Sequence, residues 1–343
     1  MLVVLSHAGL TILPGGAGVT FFFVVSGFII THLMLREHER TNGFRIGKFY
    51  RRRALKLFPP LVLIVIVPTL IYGIRTVLDR GAVVSQIFFG YNWVSIVDPT
   101  VNDRVLPGSG VTWSLAIEEQ FYIGFALLWL VLVAIKFSSR LVLWTAITAV
   151  VLANGWRLLL ALDGASELRI ERGTDTRVDA LATGIIIAIA FAKWRTDPRV
   201  KSRAVLVSGP WVLVAGMALF LVSVAVRNDI FQLTFKYTLQ QMAIALIIMY
   251  GLIPQSGAIS RVFFRIVSLK AFQVVGLASY SIYLAHLPVI YLCRWMFADQ
   301  GGFFDSWVGS ATLAAVGIVV GLLVWRIVEV PIEALKHRRV EPR

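Results

Sequence analysis

Apolar runs without a single charge, such as Leu61–Ile74 and Ala311–Trp325, constrain this chain more than any other feature. Each is longer than the roughly 4–8 residues that a buried strand uses. Together with Ile185–Ala192 they read as parts of helices that cross lipid. Composition agrees: 58% of the residues are hydrophobic and 15% charged, against about 45–50% and about 25% in soluble domains. A water-soluble fold of this length has nowhere to hide so much apolar surface, whereas a bilayer covers it. The expected fold is an all-α bundle of transmembrane helices around a polar intramembrane cavity.

About ten hydrophobic segments follow one another, over residues 1–13, 17–35, 57–75, 113–135, 141–161, 177–193, 205–226, 233–253, 273–292 and 307–328. Most approach the roughly 20 residues a spanning helix needs. The first stops at Pro14-Gly15-Gly16, which suggests a start lying upstream. Val83–Val97 is too short to span and reads as a re-entrant or interfacial piece. Met1–Leu13 has neither the basic flank nor the small-residue cleavage site of a secretory signal. The one cysteine, Cys293, sits in an apolar run and is expected to be a buried apolar residue. No internal repeat or low-complexity tract interrupts the pattern, so one membrane domain over residues 1–343 is expected.

The net charge of +14 would suit a nucleic-acid partner if it were scattered. It is not. With the basic segment 36–56 placed in the cytoplasm, that side also receives Lys136, Arg140, the cluster Lys193–Arg203, Arg261, Arg265, Lys270 and the tail Lys336–Arg343. The opposite side collects Asp79, Asp98, Asp103, Asp163, Glu167, Glu171, Asp175, Asp229, Asp299 and Asp305. This positive-inside asymmetry explains the charge by topology and anionic lipid, and excludes nucleic acid. It predicts a multi-pass protein of the inner or plasma membrane with both termini cytoplasmic.

Ionisable groups inside such helices cost about 2.5–3.5 kcal/mol each on insertion scales. The candidates are His7, Glu118, Glu119, Asp179 and His286, with Arg177 at the outer mouth of its segment. At about 1.5 Å per residue, His7, Glu118 and His286 all fall roughly 8–10 Å below the outer surface. Histidine beside a carboxylate is the ordinary equipment of general-base catalysis. Other roles fit as well: a helix–helix hydrogen bond for His7, the cap of a kinked span for His286-Leu287-Pro288, and stabilisation of a helix N-terminus for Glu118 or Glu119. A second feature, Arg51-Arg52-Arg53 followed by Lys56, stands at the cytoplasmic mouth of a span. It reads either as a topology anchor or as a phosphate site, since arginine forks match phosphate oxygens.

The ordered motifs resemble the integral-membrane acyltransferase 3 family, which includes O-antigen and peptidoglycan O-acetylases and macrolide acyltransferases. The resemblance rests on His7 followed by Gly15-Gly16-Ala17-Gly18-Val19 and Phe21-Phe22-Phe23-Val24-Val25-Ser26-Gly27-Phe28. It continues through Phe49-Tyr50-Arg51-Arg52-Arg53 to Pro59, then Trp113-Ser114-Leu115-Ala116-Ile117-Glu118-Glu119-Gln120-Phe121-Tyr122 and Arg177-Val178-Asp179-Ala180-Leu181. It closes with Gly276-Leu277-Ala278-Ser279-Tyr280-Ser281-Ile282-Tyr283-Leu284-Ala285-His286-Leu287-Pro288 and Glu329-Val330-Pro331.

What the resemblance implies is transfer of an acyl group, usually acetyl from acetyl-CoA, to a hydroxyl of a glycan or glycoside. It makes His7 the essential histidine and Glu118 its partner. Arg52, Arg53 and Lys56 become the site for coenzyme A phosphates. Ser26, Tyr122, Arg177, Asp179, Tyr283 and His286 line or support the cavity. Acyl-CoA is a co-substrate, with no tightly bound cofactor and no metal. A core about 30 Å thick leaves roughly 20 Å between the basic cluster and His7, comparable to an extended pantetheine arm. His7 then deprotonates the acceptor hydroxyl; carrying the acyl group itself is the alternative. Two departures stand out: the family's arginine falls some ten residues before the essential histidine, whereas only six residues precede His7 in this sequence, and Lys56 replaces the second arginine of an Arg-x-x-Arg motif. The esterase-like soluble domain that some relatives carry after their last span is also not expected. The rival function is a transporter of a glycan, lipid or small metabolite, since intramembrane charges also mark substrate paths; matching broken halves would favour it.

Overall fold

The computed structural model describes residues 1–135, 138–203, 209–297 and 302–338. Lys136, Asp299, the start of the segment expected over 205–226 and the last residues of the basic tail lie outside the described residues. Among those described, the regular elements are helices and none is a strand. We label the principal ones α1 Leu2–His7, α2 Gly15–Thr41, α3 Ile46–Tyr72, α4 Arg80–Ile87, α5 Tyr91–Val97, α6 Ser109–Ala134 and α7 Ser139–Leu162. There follow α8 Thr174–Thr196, α9 Pro210–Ala225, α10 Phe235–Leu252, α11 Ala258–Val267, α12 Lys270–Leu277, α13 Ser279–Met296 and α14 Trp307–Ala334.

Among the described residues, five helices, α2, α3, α6, α7 and α14, are long and apolar enough to cross a membrane, and α12 with α13 makes a sixth if counted as one bent span. The remaining four expected segments fall short for different reasons. Helix α1 has 6 residues and α9 has 16. Helix α8 is long enough but carries Asp175, Arg177, Asp179, Lys193 and Arg195. Helix α10 includes Lys236, Gln240 and Gln241. The stretch Val83–Val97 folds as α4 and α5, joined where Phe89 takes a positive φ of 57°.

Burial is inverted relative to a water-soluble protein. Leu70, Val131, Leu152, Val214 and Ile327 face outward, while Arg157, Asp179 and His286 have no exposed surface. An apolar exterior of this extent is not tolerated in water, and lipid satisfies it. The chain is a multi-pass helical membrane protein.

Two compact units divide it. The first comprises Met1–Gly15, Arg45–Ala116 and Leu269–Arg343; the second comprises Gly16–Phe44 and Ile117–Ser268. In the first, Leu57, Leu61, Ile64 and Val65 of α3 pack on Leu115 and on Tyr280, Leu284 and Ala285 of α13. Pro68 explains a local irregularity of α3. It has no N–H, and its ring would press on the carbonyl of Ile64. The turn Val62–Ile66 accordingly opens to π-helix. A second cluster joins Val4 and Ala8 to Ile282, Ile290, Leu313 and Ala314, with Cys293 partly buried beside it rather than within it. The span expected over 273–292 bends by 74° between α12 and α13. That bend is at Ala278, and Pro288 is accommodated inside α13.

In the second unit α2 crosses α8 at backbone contact. A Cβ on Gly27 would lie 2.0 Å from the Leu181 carbonyl oxygen, and one on Gly184 would lie 2.2 Å from that of Val24. Small residues at a crossing let transmembrane helices approach this closely. Gly27→Ala should therefore destabilise the protein by about 1–3 kcal/mol, the usual cost of overpacking. Its melting temperature in detergent should fall, whereas Gly124→Ala, with nothing within 4 Å of its Cβ, should leave it unchanged.

Candidate active site

In the first unit the local sequence presents His7 at the end of α1. Gly9 takes a φ of +121°, a conformation only glycine adopts freely, and the helix stops there. A Cβ on Gly9 would meet the Ser310 hydroxyl at 2.6 Å, so the turn seats closely on α14. His7 is exposed. Its Nδ1 lies 2.9 Å from Nε2 of His286, whose ring is completely buried in α13.

His286 is held on several sides. Its Nδ1 lies 2.5 Å from the carbonyl oxygen of Tyr283, one turn back. Gly317 of α14 has no side chain to fend off the His286 backbone; a Cβ there would be 3.2 Å from the His286 Cα. Gly108, with a φ of +84°, touches the Leu287–Pro288 backbone, where a Cβ would come within 2.4 Å of the Pro288 nitrogen. The Tyr283 phenol is anchored by the Ser114 hydroxyl at 2.6 Å and donates to the Val111 carbonyl at 3.1 Å.

In the second unit Glu118 is buried in α6. Its Oε1 accepts from the Tyr122 hydroxyl at 2.5 Å, one turn along the same helix, and from the Ser26 hydroxyl of α2. Glu118 and Glu119 lie beyond the first turn of their helix, where the field of the helix N-terminus has died away. That role, open on the sequence, is not theirs.

Two further candidates share α8 but differ in surroundings. Arg177 is buried, donates from Nη2 to the Thr20 hydroxyl at 2.9 Å, and stacks over the Tyr237 ring at 4.1 Å. Its Nε and Nη1 have no hydrogen-bond partner among the described residues. Asp179 is fully engaged instead. Its Oδ2 accepts from Arg157 at 2.7 Å, from Gln241 at 2.7 Å and from Asn154 at 3.4 Å, and its Oδ1 accepts from the Ala180 N–H at 2.9 Å. Asp179 is thus a structural hub tying α7, α8 and α10. Arg157, Asn154 and Gln241 were not among the sequence candidates. Arg157 had a legible signal, a charge in the middle of an apolar segment.

The basic cluster lies on α3, with Arg52 and Lys56 exposed and Arg53 half-buried. Spacings of three and four residues put Arg53 and Lys56, and Arg52 and Lys56, on neighbouring positions of one helix face. The structure thus groups His7, Tyr283 and His286 in one unit, where Arg52, Arg53 and Lys56 also belong, and Ser26, Glu118, Tyr122, Arg177 and Asp179 in the other.

A family model, acyltransferase 3, described as an acyltransferase domain, matches residues 1–326. The chain is 28% identical over 297 residues to the O-acetyltransferase OatA of Staphylococcus aureus, an alignment covering 84% of this chain and 48% of that protein. It is 30% identical over 305 residues to the peptidoglycan O-acetyltransferase OatA of Listeria monocytogenes, covering 84% of this chain and 47% of that protein. The chain spans about half the length of the curated relatives it matches. No solved structure matches it.

Proposed function

The chain belongs to the acyltransferase 3 family, and we propose that it transfers an acetyl group from acetyl-CoA to a hydroxyl of a cell-envelope glycan. The observation that carries this reading is the family match over nearly the whole helical chain, together with relatives named as O-acetyltransferases. The name of the Listeria relative makes peptidoglycan the first acceptor to test.

His7 is the base in this reading, supported by its exposed ring at the end of α1 and the second imidazole that holds it. It takes the proton of the acceptor hydroxyl as the oxygen attacks the thioester carbonyl. The new C–O ester bond forms, the C–S bond breaks, and the proton passes to the departing coenzyme A sulfur. Glu118 is the second catalytic group, a carboxylate that two hydroxyls hold in one orientation. In the finer topology of the proposal the chain crosses the inner or plasma membrane about ten times, with α1, α8, α9 and α10 completing the set. The basic face of α3 and both termini are cytoplasmic.

Purified protein in proteoliposomes, given labelled acetyl-CoA and peptidoglycan fragments, should release coenzyme A thiol and add an acetyl mass to the glycan. Movement of glycan across the bilayer without thioester consumption would replace the enzyme by a transporter. The same assay reads the donor site. Charge-assisted contacts contribute about 1.5–3 kcal/mol, so Arg53→Ala should raise the KM for acetyl-CoA about tenfold or more. Lys56→Arg, which adds a fork, should be tolerated. An unchanged donor KM in folded Arg53→Ala protein would reduce the cluster to a topology anchor.

A further inference from the structure

The hydrogen bonds around His286 determine where the protons sit. A backbone carbonyl only accepts, so the 2.5 Å contact with Tyr283 requires the proton on His286 Nδ1. In the neutral ring Nε2 then carries a lone pair. That lone pair faces His7 Nδ1 at 2.9 Å, so His7 must donate from Nδ1. The unprotonated nitrogen of neutral His7 is consequently Nε2.

The ring geometry is consistent with a strong bond of this kind. The two rings are parallel with centroids 5.2 Å apart. This separation is the N···N distance plus the two ring radii, so the rings meet edge to edge in one plane, and the Nδ1–H points straight along the His286 lone pair.

We propose that His286 is a positioning residue that fixes the tautomer of His7, the task that a carboxylate performs beside the histidine of other acyl-transfer sites. This rests on the reading of His7 as the base. The chain of groups is a carbonyl, a buried imidazole and an exposed imidazole, in that order. Its acceptor end is main chain, which cannot titrate. When His7 takes a proton at Nε2, its Nδ1–H continues to donate to His286. The charge stays on His7, because moving it to His286 would put a charge on a ring with no exposed surface. The clamps by Gly317, Gly108 and the Tyr283 phenol give His286 the rigidity that this task needs.

Nitrogen-15 NMR of histidine-labelled protein in nanodiscs reads the tautomer directly, with the His7 signals assigned from their disappearance in His7→Ala. Neutral His7 should be protonated on Nδ1 and bare on Nε2. His286→Phe removes the acceptor: the His7 proton should move to Nε2, and kcat for acetyl transfer should fall about 10²–10⁴-fold with the KM for acetyl-CoA unchanged. His286→Gln offers an amide oxygen at similar reach and should keep the Nδ1–H tautomer and most of the rate. An Nε2–H tautomer in the parent protein would overturn the proposal without any variant having to fold. An unchanged kcat in His286→Phe, alongside an inactive His7→Ala, would overturn it while leaving His7 as the base. A fully active His7→Ala would instead sink the base, and with it any catalytic purpose of the tautomer.

Discussion

Replacing His7 by alanine should lower kcat for acetyl transfer by about 10²–10⁴-fold, the usual contribution of a general base. Folding and the KM for acetyl-CoA should survive. His7 is the last residue of a short helix and is exposed, so its removal opens no internal cavity. It is not one of the residues of the basic face to which the donor phosphates are assigned, so donor binding has no reason to weaken. Glu118→Gln provides the companion measurement. A glutamine oxygen still accepts from Ser26 and Tyr122, so the packing persists while the negative charge is lost. Activity should fall, and the double variant tells whether the two groups act as one unit. If they do, it should be little worse than the worse single variant; losses that multiply would mean that the two contribute independently. A His7→Ala protein transferring acetyl at near-parental rate would remove His7 from the chemistry.

How much of this was legible in the sequence depends on what each residue's partner is. His7 and Glu118 stand out because polar groups in apolar helices are costly. Tyr122 is one turn from Glu118, a spacing the sequence displays. The partner of His7 is not displayed: His286 lies 279 positions away, and only a common depth hinted that the two imidazoles meet. Ser26, 92 positions from Glu118, was visible only through family resemblance. The bend of the α12–α13 pair was attached to the wrong place. Pro288 is the obvious breaker, yet a helix tolerates the loss of one N–H, while Ala278 carries no signal of its own. In α8 the apolar run that suggested a span hid the fact that its charged first turns belong to a buried polar network. That network is set by side chains from α7 and α10, which periodicity cannot assign.

The buried network around Asp179 carries the largest expected effect on stability. Arg157 and Asp179 form an ion pair at 2.7 Å with neither side chain exposed. Arg157 also donates to the Thr176 carbonyl at 2.8 Å and to Asn154 at 2.7 Å. Breaking such a pair by removing one partner costs about 3–5 kcal/mol, because the other charge stays buried and unpaired. Net stability is typically only about 5–15 kcal/mol, so Asp179→Leu should sharply lower the melting temperature in detergent and the amount of folded protein. Removing both charges behaves differently, since buried pairs are often replaceable by apolar side chains of similar volume. The double variant Arg157→Met with Asp179→Leu should therefore be more stable than Asp179→Leu alone, though Gln241 and Asn154 lose an acceptor. Thermal melting of the parent, both single variants and the double closes this cycle. A double variant no more stable than Asp179→Leu would mean that the pair is not the dominant contact. If stability returns and acetyl transfer with it, Asp179 has an architectural role alone; if stability returns and transfer does not, the carboxylate also serves the reaction.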